Sequence, residues 1–308
     1  MKRNEYLPEG LLTGTPRNSS MLRSYETIEK ALIDGTILEA RCVLCDSDMN
    51  LHVDLGFCTG IIPAGEGAYS ESGKIKDIAV LSRVGKHICF KVSDIRGDGY
   101  GGRTVILSRR AAMRECMLAY VDGLIPGDVI PARITHLESY GAFADIGCGI
   151  VSLLPIDCMS VSRIGHPSDR FSVGQHIRAV VRTSADKNGY ISLTHRELLG
   201  TWEENAARFL PGQTAAGIIR SVESYGIFVE LTPNLAGLAE YREGLSPGMH
   251  AAVYIKSIIR EKMKIKLVIV DAGDPGPVRQ VYDYPDIDHI DYWRYSPDNC
   301  SKVIETSF

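Results

Sequence analysis

The sequence predicts a mainly β protein of three tandem small barrels joined by short helices, with an N-terminal helix and an irregular C-terminal tail. Three observations predict it. First, "PGDVIPARITHLESYGAFADI" (126–146) and "PGQTAAGIIRSVESYGIFVEL" (211–231) align without a gap. Second, each continues with a Gly-containing strand ("GIVSLL", "LAGLAE"), then "VGQHIRAVV" or "PGMHAAVYI", then a closing strand ("GYISLTHRE", "KMKIKLVIV"). Third, a fainter copy lies upstream: "DGTILEARCV", "MNLHVDLG", "GIIP", "VGKHICFKV" and "RTVILSRR". Short β-rich runs with frequent glycine punctuation, repeated in tandem, read as barrels.

In chain order, residues 1–30 form a helical segment; in "SSMLRSYETIEKALIDG" (19–35) Met21, Leu22, Tyr25, Ile28 and Leu32 fall on one face, behind a Ser cap and ahead of Gly35. The degenerate first copy spans 31–117, and "RRAAMRECMLAYV" (109–121) at its end has helical spacing. The second copy spans 124–196. "RELLGTWEENAARF" (196–209) reads as a linker helix, placed at 197–208, and the third copy spans 209–271. The tail, 272–308, is rich in Asp, Tyr and Pro, and is either laid across a neighbour or partly disordered.

Composition narrows the function. No apolar run approaches the roughly 18 residues a membrane-spanning helix needs. "MKRNEYLPEGLLTG" lacks the apolar stretch of a secretory signal. Eight cysteines without a framework read as reduced thiols, so a cytoplasmic protein is expected. The net charge of −4 argues at first against nucleic acid. The tail alone, however, holds seven acids against three bases, so the rest of the chain is about neutral. Local patches, not the total, must then carry any phosphate binding.

The repeated strand supplies the rest of a binding surface. Side chains alternate along a strand, so Ala142, Ala144 and Ile146 oppose Phe143 and Asp145, as Ile227, Val229 and Leu231 oppose Phe228 and Glu230. A phenylalanine thus falls twice on a face that also carries a carboxylate, and that face is expected to be wet. Tyr140 and Tyr225 lie three residues earlier, and a bulge at Gly141 and Gly226 would bring both rings onto one surface. Two exposed rings make a platform on which bases stack, at roughly 1–3 kcal/mol per base. In "REKMKIKLVIV", Lys262, Lys264 and Lys266 alternate with apolar residues and would share one face as phosphate ligands. The bland alternatives are a plug at the barrel end for the rings and solubility for the lysines.

These stretches resemble the S1 domain, a five-stranded OB-fold barrel found in bacterial ribosomal protein S1 and several RNA-processing proteins. The resemblance covers roughly residues 31–271, and with "ELLGTWEENAARF" and "IDYWRYSPDNC" it extends to the short proteins of the ribosomal protein S1 family. It implies RNA lying across Tyr140 and Phe143, and across Tyr225 and Phe228. Family members carry a histidine after the Gly of the third strand, where Ser152 and Glu240 stand here. They also bracket the last turn with an aspartate and an arginine. Asp186 matches the first, Tyr190 replaces the second, and Lys264 is the cation of the third copy. In the first copy Met49, Asn50 and His52 occupy the Tyr, Gly and Phe positions, so no RNA contact is carried onto it; the resemblance there implies docking to the ribosome or another protein.

Other motifs read as structural. "CVLC" (42–45) lies in a strand, where residues three apart point oppositely, so buried thiols are favoured over a metal site. "RGDGYGG" (96–102) lacks the lysine and hydroxyl of a phosphate-binding loop and reads as a turn. His195, Arg196 and Glu197 are chain neighbours that do not converge on a substrate, and "HPSDRF" (166–171) reads as a turn. With no nucleophile elbow, dinucleotide motif or cofactor signal, the expectation is a non-catalytic binder of single-stranded mRNA or rRNA in translation. The alternatives are a protein-docking module with vestigial RNA binding and an accessory subunit of an RNA-processing complex.

Overall fold

The computed structural model describes residues 6–69, 77–97, 102–184, 190–274 and 281–308. It opens with two helices, Pro16–Met21 (α1) and Tyr25–Asp34 (α2), where the apolar spacing suggests one. The break has a local cause. Ser24 leaves helical geometry (φ −159°, ψ 167°), and its side chain accepts from the Thr27 N–H while the Thr27 hydroxyl accepts from the Ser24 N–H. Such a reciprocal cap stabilises a new helix by about 1 kcal/mol. Gly35 ends α2 in the left-handed region, at φ 63°.

Barrel 1 comprises Ile37–Cys45 (β1), Leu51–Asp54 (β2), Thr59–Ile62 (β3), His87–Gly97 (β4) and Arg103–Ser108 (β5), with a short helix Asp77–Leu81 (α3) before β4. Arg109–Ala119 (α4) follows, capped by Ser108. Barrel 2 comprises Val129–Glu138 (β6), Gly141–Gly147 (β7), Ile150–Pro155 (β8), His176–Thr183 (β9) and Ser192–Thr194 (β10). Of the 196–209 helix, only Trp202–Ala206 (α5) is α-helical; Arg196–Leu199 is a 3-10 turn, cut off by Gly200 at φ 78°. Barrel 3 comprises Thr214–Glu223 (β11), Gly226–Thr232 (β12), Leu235–Ala239 (β13), His250–Ile259 (β14) and Lys264–Gly273 (β15). The tail adds Tyr292–Arg294 (β16) paired with Glu305–Ser307 (β17).

All three sheets close on themselves with the same connectivity, the third and fifth strands running parallel. Closure removes the exposed edge of a sheet. It also turns every second residue inward, so Ala142, Ala144 and Ile146, and Ile227 and Val229, are fully buried. No described helix is long and apolar enough to cross a membrane. Residues 98–101 of "RGDGYGG" lie outside the described residues.

The barrels are tied together. "HPSDRF" is more than a turn: His166 caps a 3-10 segment, and the following Arg170 is buried against barrel 3. There it meets Glu230 at 2.5 and 2.8 Å, while Arg220 bonds the same carboxylate at 2.9 Å. The described tail lies across both barrels. Tyr282 donates to the Arg170 carbonyl (2.8 Å), Ile290 to that of Gly127 (2.9 Å), and the Tyr295 carbonyl accepts from Trp202 (3.0 Å). Under this strap His195 is fully buried, and its Nδ1 lies 3.0 Å from the Met159 carbonyl. A carbonyl only accepts, so Nδ1 carries the proton and Nε2 accepts from the Tyr284 hydroxyl at 2.8 Å. Burial pushes its pKa down to about 4, a structural histidine rather than a general base.

Candidate nucleic-acid interface

The repeated hexapeptide forms the same structure twice. Tyr140 and Tyr225 sit in the tight turns just before β7 and β12, and each ring meets the phenylalanine three residues on, edge to face. The centroid separations are 6.1 Å for Tyr140–Phe143 and 6.2 Å for Tyr225–Phe228. Tyr140 is 56% exposed and Tyr225 68%, while both phenylalanines are half-buried. The rings converge because each tyrosine lies outside strand alternation, not because of a bulge at the glycine. The register shifts occur instead on the partner strands, between Ile134 and His136 and between Ile219 and Ser221. Gly141 and Gly226 answer a different need. A Cβ there would lie 2.7 Å from the Leu154 carbonyl oxygen and 2.6 Å from that of Ala239, so only glycine lets the backbones approach.

The wet carboxylate face is corrected by the structure. Asp145 and Glu230 are both buried, because each is where the preceding module docks. Asp145 accepts N–H bonds from Glu9 (2.7 Å), Gly147 (2.8 Å) and Gly149 (3.0 Å). Its burial and the nearby Glu9 carboxylate raise its pKa, against the pull of those N–H groups. Glu230 is held by Arg170 and Arg220. The platforms begin one pleat away, at Phe143 and Phe228.

From each phenylalanine an outward row crosses the barrel. In barrel 2 it runs His136–Phe143–Leu153–Ser192, and in barrel 3 Ser221–Phe228–Leu238–Lys266. Lys264 and Lys266 are exposed on β15 with Ile265 and Leu267 buried between and beyond them. Lys262 is exposed but lies in the 3-10 turn Arg260–Lys262, so it stands outside that alternation. Tyr190 is 66% exposed, two residues before Ser192; Asp186 lies outside the described residues. Register also corrects the histidine position: Ser152 is buried opposite Ala144, and the counterpart of Glu240 is Pro155.

A family model described as an S1 RNA binding domain matches residues 124–196. All five strands of the second barrel, β6 to β10, lie within that match. Over a longer span the chain is similar to the small ribosomal subunit protein bS1 homolog of Bacillus subtilis (strain 168), at 27% identity over 283 residues. That alignment covers 89% of this chain and 70% of the relative. It is also 28% identical over 263 residues to small ribosomal subunit protein bS1 of Staphylococcus aureus (strain COL), covering 80% of this chain and 64% of that one. The chain therefore spans about two thirds of the length of these relatives.

Sequence reasoning missed part of the second barrel's surface. His136 stacks on Phe143 (6.3 Å between centroids, 29° between planes) and adds a third ring, with Nε2 2.6 Å from Glu138. Leu153 and Leu238 continue the two rows as apolar floor. The missed signal was the one-residue slip on β6, which puts His136 rather than Thr135 opposite Phe143. In barrel 1 the same row reads Leu44–His52–Ile61–Ile106, without a ring pair. His52 there is held by Asp46 at 3.0 Å, and this bond chiefly lowers the Asp46 pKa to about 2. Cys42 of "CVLC" is buried in the barrel core and Cys45 is half-buried at its rim.

Proposed function

We propose that the chain binds single-stranded RNA during translation through two like platforms, Tyr140, Phe143 and His136 on barrel 2 and Tyr225 and Phe228 on barrel 3. The observation that carries this is the duplicated edge-to-face ring pair, exposed at the same register in both barrels. Rings held on a closed barrel give bases a stacking surface without base-specific hydrogen bonds. Lys264 and Lys266, with Lys262 at the adjoining turn, supply phosphate contacts beside the second platform; Tyr190 lies two residues before Ser192 of the first platform's row, and Asp186 enters this reading from the resemblance alone. Two platforms on one chain gain avidity when both engage one strand, by 10²–10⁴-fold for well-matched geometry. The binding is non-catalytic, and cytoplasmic ribosome association accords with the similarity to ribosomal relatives.

For barrel 1 the apolar row supports a different reading: residues 31–117 dock a ribosomal or other translation protein rather than RNA. The test of the main reading is fluorescence anisotropy with a single-stranded RNA of about 20 nucleotides, with duplex RNA as competitor. Phe143→Ala/Phe228→Ala is expected to lose about 1 kcal/mol or more per ring with an unchanged melting temperature. Equal binding by the folded double variant would remove the platforms from the site.

A further inference from the structure

The three barrels share one more outward row, crossing the first, fourth and fifth strands. In barrel 1 it reads Ile37–Lys91–Ser108, in barrel 2 Val129–Val180–Thr194, and in barrel 3 Thr214–Tyr254–Val268. In each of the first two barrels another part of the chain covers that row. In barrel 1, Ser108 caps α4, and Lys91 is paired with Glu115 of the same helix. In barrel 2, Tyr284, Ile290 and Phe308 of the tail pack on Val129 and Val180, which are buried. In barrel 3 the row is open among the described residues: Tyr254 is 41% exposed and Val268 44%, with Val270 exposed beside them.

We propose that this open face of barrel 3 is a second RNA-contacting surface, which extends the track from the Tyr225–Phe228 platform to Tyr254. The proposal rests on the RNA-binding reading above and adds a site to it. Continuity is the first argument. Phe228 pairs with Leu238, Leu238 with Lys266, and Val268 is the next outward residue along β15, paired with Tyr254. With strands about 4.8 Å apart and outward residues about 6.6 Å apart along a strand, Tyr254 lies a few nucleotides beyond Phe228. Charge is the second argument. Lys266 stands between the two rings, and Lys256, thrown outward where the β14–β15 register shifts, stands beside Tyr254. Neither ammonium has an ion-pair partner among the described residues. A ring flanked by free cations fits a base and its phosphates. Barrel 2 has a buried Val180 at the ring position and Ser192 at that of Lys266, so its track ends where the strap begins.

The test compares full-length wild type, Tyr254→Ala and Phe228→Ala in anisotropy titrations with oligo(U) of about 5 and about 15 nucleotides. Tyr254→Ala is expected to weaken the longer RNA about fivefold or more and to leave the shorter one, which the Phe228 platform can hold alone, unchanged. Phe228→Ala is expected to weaken both. Equal loss on both lengths, or none on either, with Phe228→Ala still impaired, would overturn the extension and leave the platform standing. No binding by wild type would overturn both. Tyr254→Phe, which keeps the ring, is expected to restore the longer RNA, and failure to do so would also count against stacking there.

Discussion

Barrels 2 and 3 carry the same ring pair at the same register, yet the two sites are framed differently. Barrel 2 adds a third ring in His136, has Ser192 where a cation could stand, and is sealed by the tail along the Val129–Val180 row. Barrel 3 has Ser221 in place of that ring, Lys266 in place of Ser192, and an outer face that is open among the described residues. The duplicated ring pair is therefore framed by a further ring in one copy and by a cation in the other. The carboxylate next to each platform differs too. Asp145 is satisfied by backbone N–H groups, Glu230 by two guanidinium groups.

That last contrast predicts the largest effect. Glu230→Gln leaves Arg170 and Arg220 buried against a neutral amide, and breaking a buried ion pair on one side costs about 3–5 kcal/mol. Asp145→Asn keeps an acceptor oxygen and loses only part of a hydrogen-bond set, at a cost of about 1–2 kcal/mol. Urea midpoints of the two variants measure the difference. A larger loss from Asp145→Asn would show that charge, not backbone donors, governs the barrel 2 junction.

Acid should also separate the barrels. At the position of His195, barrel 3 has Ile269, which cannot titrate. In the unfolded chain His195 takes up a proton below about pH 6.5, but the native state refuses it until about pH 4. Between those values the unfolded state binds more protons, so stability rises with pH; it is present in full above about 6.5 and is lost as pH falls toward 4. The loss amounts to about 3 kcal/mol for this group. Native-state hydrogen exchange at pH 7 and pH 4.5 reads it by region: amides around β9, β10 and Tyr284 should lose protection more than those of β12 and β13. Equal loss across both barrels would contradict the assignment.

The fold was legible because it rests on periodicity. A gap-free repeat, a fainter upstream copy and alternating apolar residues pointed to three like barrels, and the Tyr–Gly–x–Phe spacing pointed to the ring pairs. What stayed hidden depends on contacts between distant segments. Asp145 and Glu230 alternate as outward residues should, and only the docking of Glu9 and Arg170 buries them. His136 was invisible because a one-residue slip on β6 decides whether it or Thr135 faces Phe143. Ser24 split a helix that apolar spacing alone would join, since capping competes with propagation over only a few residues. The open face around Tyr254 could not be seen at all without knowing which barrels the helix and the tail cover.

The smallest expected effect is on salt dependence, and it tests the difference in framing most directly. Each lysine that neutralises a phosphate of single-stranded RNA releases a counterion and contributes about −0.7 to the slope of log K against log salt. Lys266→Ser gives barrel 3 the residue of barrel 2, and Ser192→Lys does the reverse; both positions lie on the surface at equivalent places in the rows. The first should flatten the slope by about 0.7 and the second steepen it by the same amount. The double exchange should then restore the wild-type slope while moving the cation from one barrel to the other. In the Phe228→Ala background, where binding leans on barrel 2, Ser192→Lys should steepen the slope and Lys266→Ser should change it little. If the slope followed Lys266 and ignored Ser192 in every background, barrel 3 alone would carry the phosphate contacts, and the third ring of barrel 2 would have to act without them.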